Sequence, residues 1–96
     1  MALEVDILGM EKKSLLEVKV FCSPVIEKEP FRGTAEAVSS QNKLGKFDIL
    51  PGHTNFITLI FNNLTIHTPD KKTLNYQFER GVLEVNEDKV SIFLGL

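Results

Sequence analysis

The dominant pattern along the chain is an alternation of hydrophobic and polar side chains with a period of two residues. It is clearest in residues 74–79, and it recurs in residues 16–22 and 89–94. A period of two places successive side chains on opposite faces of an extended strand, so these segments are predicted to be half-buried β-strands. Residues 56–61 are rich in hydrophobic side chains at odd and even positions alike, which predicts a strand that is apolar on both faces.

Turn signals separate the predicted strands at short intervals. Asn62-Asn63 predicts a tight turn because asparagine tolerates positive φ, residues 68–71 predict a turn around a proline, and residues 86–88 predict a short hairpin. Polar loops are predicted at residues 27–30 and 39–43. Short strands at regular spacing indicate an all-β fold, either a sandwich or a flattened barrel, with about 8–10 strands.

The chain divides into a short extension and one domain. Residues 1–14 form an amino-terminal extension, for which two interpretations stay open. Leu3, Val5 and Ile7 alternate with polar residues and predict an extra edge strand before a Gly9-Met10 turn, or else the segment is a flexible arm. Residues 15–96 are predicted to form the sandwich domain, because 96 residues suffice for one hydrophobic core.

Composition argues against several classes of function. The chain has 11 basic and 13 acidic residues and a net charge of −2, whereas a nucleic-acid partner requires a basic excess. No hydrophobic run approaches the roughly 20 residues of a membrane-spanning helix, and the first ten residues lack the pattern of a signal peptide. We therefore expect a soluble, cytoplasmic protein that does not insert into the membrane.

No catalytic or metal-binding constellation stands out. Cys22 is the single cysteine, so it cannot form an intramolecular disulfide, and its position in a hydrophobic strand predicts a buried, unreactive thiol. His53 and His67 are too few to predict a zinc site, and the six glycines form no phosphate-binding loop. The sequence therefore predicts neither an enzyme nor a cofactor.

Three segments, in order and at similar spacing, resemble one known family. They are Gly-Lys-Phe-Asp-Ile-Leu-Pro-Gly-His at residues 45–53, Phe-Arg-Gly-Thr-Ala-Glu-Ala-Val at residues 31–38, and Arg-Gly-Val-Leu-Glu-Val at residues 80–85 followed by Lys-Val-Ser-Ile at residues 89–92. This set is similar to the amino-terminal β-sandwich of the F-type ATP synthase epsilon chain, over roughly residues 16–94. Lys46 stands where the family has an acidic residue, Asp48 where it has glycine, and Asn55 where it favours proline.

The resemblance implies a ten-stranded sandwich, which in the family is followed by a carboxy-terminal helical hairpin. That hairpin carries the inhibition of ATP hydrolysis and the nucleotide sensing. The sequence stops after the last predicted strand, so neither role is expected here.

The resemblance also implies a non-catalytic rotor subunit of the central stalk. Such a subunit binds the gamma chain and the membrane ring, couples proton transport to ATP synthesis, and lies peripherally at the inner face of the membrane. The candidate partner interface comprises Leu44, Gly45, Lys46, Phe47, Pro51, Gly52, His53 and Arg80, and alternation suggests Phe21, Phe47 and Phe93 as exposed anchors.

Two alternatives remain at this point. The corner at residues 51–53 has a purely structural interpretation, because proline and glycine together make a sharp turn whose backbone His53 can bond. The domain can also be a stand-alone interaction module outside the ATP synthase, including a homodimer formed through an edge strand.

Overall fold

The computed structural model describes the backbone of residues 3–5 and 11–13 and all of residues 14–96. In this part of the chain there are nine β-strands and no helix. The strands are β1 (Leu3–Val5), β2 (Glu11–Lys13), β3 (Leu16–Cys22), β4 (Phe31–Ala35), β5 (Ala37–Asn42), β6 (Gly45–Ile49), β7 (Phe56–His67), β8 (Thr73–Asn86) and β9 (Lys89–Leu94). The all-β prediction is confirmed.

Seven strands form one open sheet in the order β4-β3-β9-β8-β7-β5-β6. Every neighbouring pair is antiparallel except β3 and β9, which run parallel. Strands β1 and β2 pair only with each other in a separate two-stranded sheet. The amino-terminal segment therefore contains two short strands, but not as an edge of the main sheet, and the predicted Gly9-Met10 turn lies outside the described residues.

A bulge in the two longest strands divides the sheet into two layers. Phe78 pairs with Asn62 and Arg80 pairs with Phe61, so Glu79 is an extra residue with no partner in β7. The first layer contains β4, β3, β9, residues 80–86 of β8 and residues 56–61 of β7. The second layer contains residues 73–78 of β8, residues 62–67 of β7, β5 and β6.

The extra residue changes which side of β8 faces the core. Before the bulge the inward positions are Tyr76 and Phe78, and after it they are Gly81, Leu83 and Val85. The buried side chains of both layers then belong to a single hydrophobic core. Its fully buried members include Leu16, Val18, Val20, Val38, Ile49, Ile60, Leu64, Ile66, Leu83, Val85, Ile92 and Leu94.

Two local predictions are wrong. Asn62-Asn63 does not end a strand. Asn62 has the expected positive φ, 75°, but it uses this conformation at the bulge inside the continuous strand β7. Residues 39–42 belong to β5, and the chain turns only at Lys43 and Leu44. The segment is polar because Ser39 and Gln41 lie on the polar outer face of the second layer, while the buried Ser40 donates its hydroxyl to the Asn63 carbonyl.

The other turns are confirmed. The amide of Lys71 donates to the carbonyl of Thr68 at 3.1 Å, closing the predicted proline turn. Glu87 and Asp88 both have positive φ in the two-residue connection between β8 and β9, as a tight hairpin requires. Residues 27–30 lie outside the strands, also as predicted.

Candidate interaction surfaces

A row of hydrophobic side chains crosses the outer face of the first layer. Phe21 of β3 pairs with Phe93 of β9, Phe93 pairs with Val82 of β8, and Val82 pairs with Leu59 of β7. Directly paired residues point to the same face of a sheet, so these four side chains form one continuous line. We call this line the apolar row. Phe21 is 44% exposed, Phe93 42% and Leu59 47%, while Val82 is half-buried.

The apolar row is preorganised. The rings of Phe21 and Phe93 stack with centroids 4.9 Å apart and planes 12° apart. Ile57, two residues before Leu59 on the same face, is 66% exposed. A contiguous exposed hydrophobic surface of this kind is typical of a binding site, and fixed aromatic side chains lose little entropy when a partner covers them.

One end of the same face is basic. Lys19 of β3 pairs directly with Arg32 of β4, and both side chains are exposed. Lys89 of β9 pairs with Glu17, an acidic residue. Together with Gly33, Thr34 and Ser91, these side chains line a depression of about 430 Å³. We call this feature the basic corner.

The outer face of the second layer has a different character. Asp48, Ser39, Thr65 and Asn75 follow one another across β6, β5, β7 and β8. The Ser39 hydroxyl donates to Asp48 Oδ1 at 2.6 Å, and the Thr65 hydroxyl donates to Asn75 Oδ1 at 2.9 Å. Hydrogen bonds between neighbouring side chains thus satisfy many of the polar groups on this face. Its described residues form no hydrophobic row like that of the first layer.

Ser39 also lies beside a histidine, but not in an arrangement that activates it. Its Oγ is 3.1 Å from Nε2 of His67. Because the single hydroxyl proton is donated to Asp48, this contact requires Nε2–H of His67 to be the donor. A nucleophilic serine needs the reverse arrangement, in which the imidazole accepts the hydroxyl proton.

The β5–β6 hairpin presents part of the predicted interface. Leu44 at its tip is 96% exposed, and its amide donates to Asn42 Oδ1 at 2.8 Å. Gly45 follows with φ of 121°, and Lys46 is exposed. Phe47 packs partly against the core, edge to face with Phe56 at 6.1 Å between centroids. Leu44 and Lys46 are therefore available to a partner, whereas Phe47 mainly supports the hairpin.

The Pro51-Gly52-His53 corner is held by local bonds. Pro51 is buried, Gly52 has φ of 87°, and the Gly52 amide donates to Asp88 Oδ1 at 2.8 Å. The amide of His53 donates to the Leu50 carbonyl at 3.1 Å, and its Nδ1 lies 2.8 Å from the Thr54 carbonyl oxygen. These contacts account for the corner structurally, as the local interpretation expected.

Arg80 lies apart from the other predicted site residues. His53 packs against Phe56, with centroids 5.0 Å apart, whereas Arg80 pairs with Phe61 at the bulge, five positions along β7. The carbonyl of Arg80 accepts the Gly95 amide at 2.9 Å. The structure thus brings Phe47 and His53 together around Phe56 and leaves Arg80 at the opposite end of this stretch of strand.

Chemical sites are not apparent in the described part of the chain. Burial, and secondarily the negative charge of Glu29, raise the pKa of the half-buried Cys22 thiol, which disfavours the nucleophilic thiolate. Among the described residues no three His, Cys, Asp or Glu side chains come together as metal ligands. The same residues include no helix long and apolar enough to cross a membrane.

Sequence reasoning found part of the exposed hydrophobic surface and missed the rest. Alternation correctly placed Phe21 and Phe93 on the outside. The sequence analysis does not identify Ile57 and Leu59 as exposed anchors. The available signal is that residues 56–61 are apolar on both faces of the strand, which implies that one hydrophobic face is exposed. The basic corner was also missed, because Lys19 and Arg32 become neighbours only through strand pairing.

Comparison with known proteins identifies the family. Residues 25–94 match the family model described as "ATP synthase, Delta/Epsilon chain, beta-sandwich domain". The chain belongs to this family. Its resemblance to the epsilon-chain sandwich, first apparent from residues 31–53 and 80–92, is thereby confirmed.

Similar epsilon chains come from several bacteria. The chain is 26% identical over 85 residues to the ATP synthase epsilon chain of Trichlorobacter lovleyi, covering 88% of this chain and 58% of that one. It is 33% identical over 67 residues to the epsilon chain of Stenotrophomonas maltophilia, covering 69% and 48% respectively. For the epsilon chain of Micrococcus luteus the identity is 33% over 67 residues, covering 69% and 74%. The chain thus spans about half the length of the first two relatives.

Solved structures show the same fold. A chain of the Euglena gracilis mitochondrial ATP synthase superimposes with a TM-score of 0.74 at 15% identity, covering 98% of this chain and 59% of that one. A chain of the central stalk and c-ring of the Tetrahymena thermophila mitochondrial ATP synthase superimposes with a TM-score of 0.67 at 12% identity, covering 88% and 66%. At these identities the likeness shows the fold alone.

Proposed function

We propose that this chain is a non-catalytic rotor subunit of the central stalk of an F-type ATP synthase. In this role it binds the gamma chain and the membrane ring, couples proton transport to ATP synthesis, and lies peripherally at the inner face of the membrane. Membership of the epsilon sandwich family and similarity to several epsilon chains support the proposal. A coupling subunit needs stable contacts and no active-site chemistry.

The apolar row carries the proposal. Phe21, Phe93 and Leu59 are each more than two-fifths exposed and lie in one line across the first layer. Full burial of a hydrophobic side chain of this size contributes about 1.5–3 kcal/mol, and because each of these is already more than half buried, covering it with a partner contributes about half of that. Several such anchors in one line are suited to a long-lived protein interface, so we assign this face to the gamma chain.

The ring contact is assigned to the β5–β6 hairpin and the adjoining corner. Leu44 is almost fully exposed, and Lys46 beside it carries a positive charge. Lys46 stands where the family has an acidic residue, so the ring surface opposite it should be acidic here. Phe47, Gly45, Pro51, Gly52 and His53 hold the hairpin and corner in shape, and Arg80 stays a proposed interface residue at the far end of the face.

Co-purification with the gamma chain of the same organism tests the proposal. The wild-type chain should elute with gamma as a complex of one copy each. Leu59→Asp should weaken the complex at least about tenfold, because it places a charge in the apolar row. Gln77→Asp, at another exposed position on the polar face of the second layer, is the matched control and should bind like the wild type. Absence of any complex with gamma would overturn the rotor assignment.

A homodimer outside the ATP synthase is the second candidate. Strand β5 pairs with β7 only at residues 64–67, so among the described strands residues 56–61 of β7 pair with β8 alone. This open edge lies beside Ile57 and Leu59, and an edge strand readily pairs with a second copy. A concentration-independent dimer by sedimentation, without gamma binding, would favour this candidate.

A further inference from the structure

The basic corner is a second feature of the outer face of the first layer, distinct from the apolar row. Lys19, Arg32 and Lys89 line the depression of about 430 Å³ together with the carboxylate of Glu17. None of the three cations forms an ion pair within 4.0 Å in the described part of the chain, where the ion pair that occurs joins Lys71 to Glu36. Glu84, which pairs with Ser91 at the edge of the depression, is a second carboxylate on this face, so three cations face two carboxylates and the depression keeps a net positive charge.

The placement of two of these cations is unfavourable in the isolated domain. Lys19 and Arg32 are direct partners in the β3–β4 register, and both side chains point outward. Like charges directly opposite each other on a sheet are destabilising. An anionic group between them removes this repulsion, so the pair is better suited to a bound state than to a free one.

The basic corner continues into the apolar row. Lys19 lies two residues before Phe21 on the same face of β3, and Ser91, which pairs with Lys19, lies two residues before Phe93 on β9. A partner that covers the two stacked rings must also approach the depression. Charged groups at the rim of a hydrophobic contact set the orientation and the rate of association.

We propose that the basic corner binds carboxylate side chains of the protein that covers the apolar row. This inference rests on the proposed rotor function, so the group that occupies the basic corner is an acidic segment of the gamma chain. That segment lies next to the hydrophobic side chains that pack on Phe21 and Phe93. The apolar row supplies most of the affinity. The basic corner selects the orientation in which the acidic segment meets β3 and β4.

Charge reversal at the corner tests the inference. The variant Lys19→Glu/Arg32→Glu is compared with Lys28→Glu/Lys72→Glu, which makes the same change in net charge on exposed positions outside the corner and outside the proposed interfaces. Binding to the gamma chain is measured by calorimetry at low and at high salt. The corner variant should lose about tenfold or more in affinity at low salt, with most of the difference removed at high salt by screening. The control should change affinity less than about twofold.

A separate stability measurement distinguishes lost binding from lost folding. The single variant Arg32→Glu places opposite charges in register with Lys19, so its Tm should equal or exceed that of the wild type while its affinity for gamma falls. A lowered Tm together with lowered affinity would contradict the account of the like-charged pair.

The remaining outcomes are also decisive. If the wild type binds gamma and the corner variant binds equally well, the inference is overturned while the rotor function stands. If the wild type does not bind gamma, both fail. If the isolated chain binds vesicles containing anionic phospholipid, the corner variant loses that binding, and its affinity for gamma is unchanged, then the corner recognises lipid phosphate and the inference is overturned.

Discussion

Gly81 is a position where a single methyl group should disturb the strands that carry the candidate interface. It lies on β8 opposite Leu94, two residues after the bulge, and it is buried. A Cβ at this position would lie 2.5 Å from the carbonyl oxygen of Phe93, and 3.1 Å from Cδ2 of Leu94. Ordinary contact begins at 3.4 Å, so β9 would have to move by about 0.9 Å.

The expected cost of Gly81→Ala follows from two opposing effects. Overpacking of a tightly filled site costs roughly 1–3 kcal/mol, and the upper end applies because the obstructing atom is backbone within a strand. Gly81 does not have a positive φ, so alanine also gains about 0.4–1 kcal/mol by restricting the unfolded chain. The net loss in the free energy of unfolding should be about 2 kcal/mol, which lowers the Tm by roughly 8–16 °C for a domain of this size.

Urea denaturation followed by far-ultraviolet circular dichroism measures this loss. Gly33→Ala is the matched control, because its nearest contact is the Cζ atom of Phe31 at 2.9 Å, and that ring belongs to a half-buried side chain on edge strand β4. A ring at an edge can turn aside, so the control should lose less than about 1 kcal/mol. If Gly81→Ala were as stable as the wild type, the close approach of β9 to β8 would be wrong, and with it the position of Phe93 in the apolar row.

Three further predictions concern other parts of the fold. Asn62 has φ of 75° at the bulge, so Asn62→Val should lower the free energy of unfolding by about 1–2 kcal/mol while Asn62→Gly leaves it nearly unchanged in the same urea assay. The Tyr76 hydroxyl donates to the Glu29 carbonyl at 3.0 Å, so Tyr76→Phe should cost about 1 kcal/mol at neutral pH. Burial raises the pKa of the Tyr76 hydroxyl above its ordinary value of 10.0. The stability that the neutral tyrosine contributes is therefore complete below pH 10 and is lost as the pH rises through the folded-state pKa. Tyr76→Phe should flatten this decline in stability, and an equal decline in both proteins would contradict the burial of the Tyr76 hydroxyl. Because burial raises the pKa of Cys22, its alkylation by iodoacetamide at pH 7.5 should be slower than that of the unfolded chain, and equal rates would refute this.

The local pattern of hydrophobic and polar residues predicted those features of the fold that depend on residues close together in the sequence. Alternation predicted β3, β9 and residues 74–78 of β8, because Val18, Ile92 and Tyr76 face the core while the residues beside them face outward. It failed for β5, where the buried Ser40 looks like a loop residue. The Ser40 hydroxyl donates to the Asn63 carbonyl at 2.7 Å, so a polar side chain is satisfied at a core position.

The bulge shows why a correct local inference can give a wrong turn. Positive φ at Asn62 was expected and occurs, but tight turns and bulges both use this conformation. The pairing of β7 with residues on both sides of Glu79 decides between them, and that pairing joins segments separated by a proline turn.

The candidate surfaces required information that no local pattern contains. The apolar row joins residues 21, 93, 82 and 59, and its first contact depends on the parallel pairing of β3 with β9 across most of the chain. The resemblance to the epsilon sandwich predicted the family and named residues 44–47 as candidate interface residues, but the family motif at residues 45–53 lies away from this row. Strand order and register were needed to assemble it.

The most direct test of the account is to place a photo-crosslinker on each outer face in turn. In a Cys22→Ser background, the single-cysteine variants Leu59→Cys and Gln77→Cys are labelled with benzophenone maleimide and illuminated with the gamma chain of the same organism. The account predicts a crosslink to gamma from position 59, on the apolar row, and none from position 77, on the polar face. Crosslinking from position 77 but not from position 59 would contradict the central claim that the outer face of the first layer binds the partner.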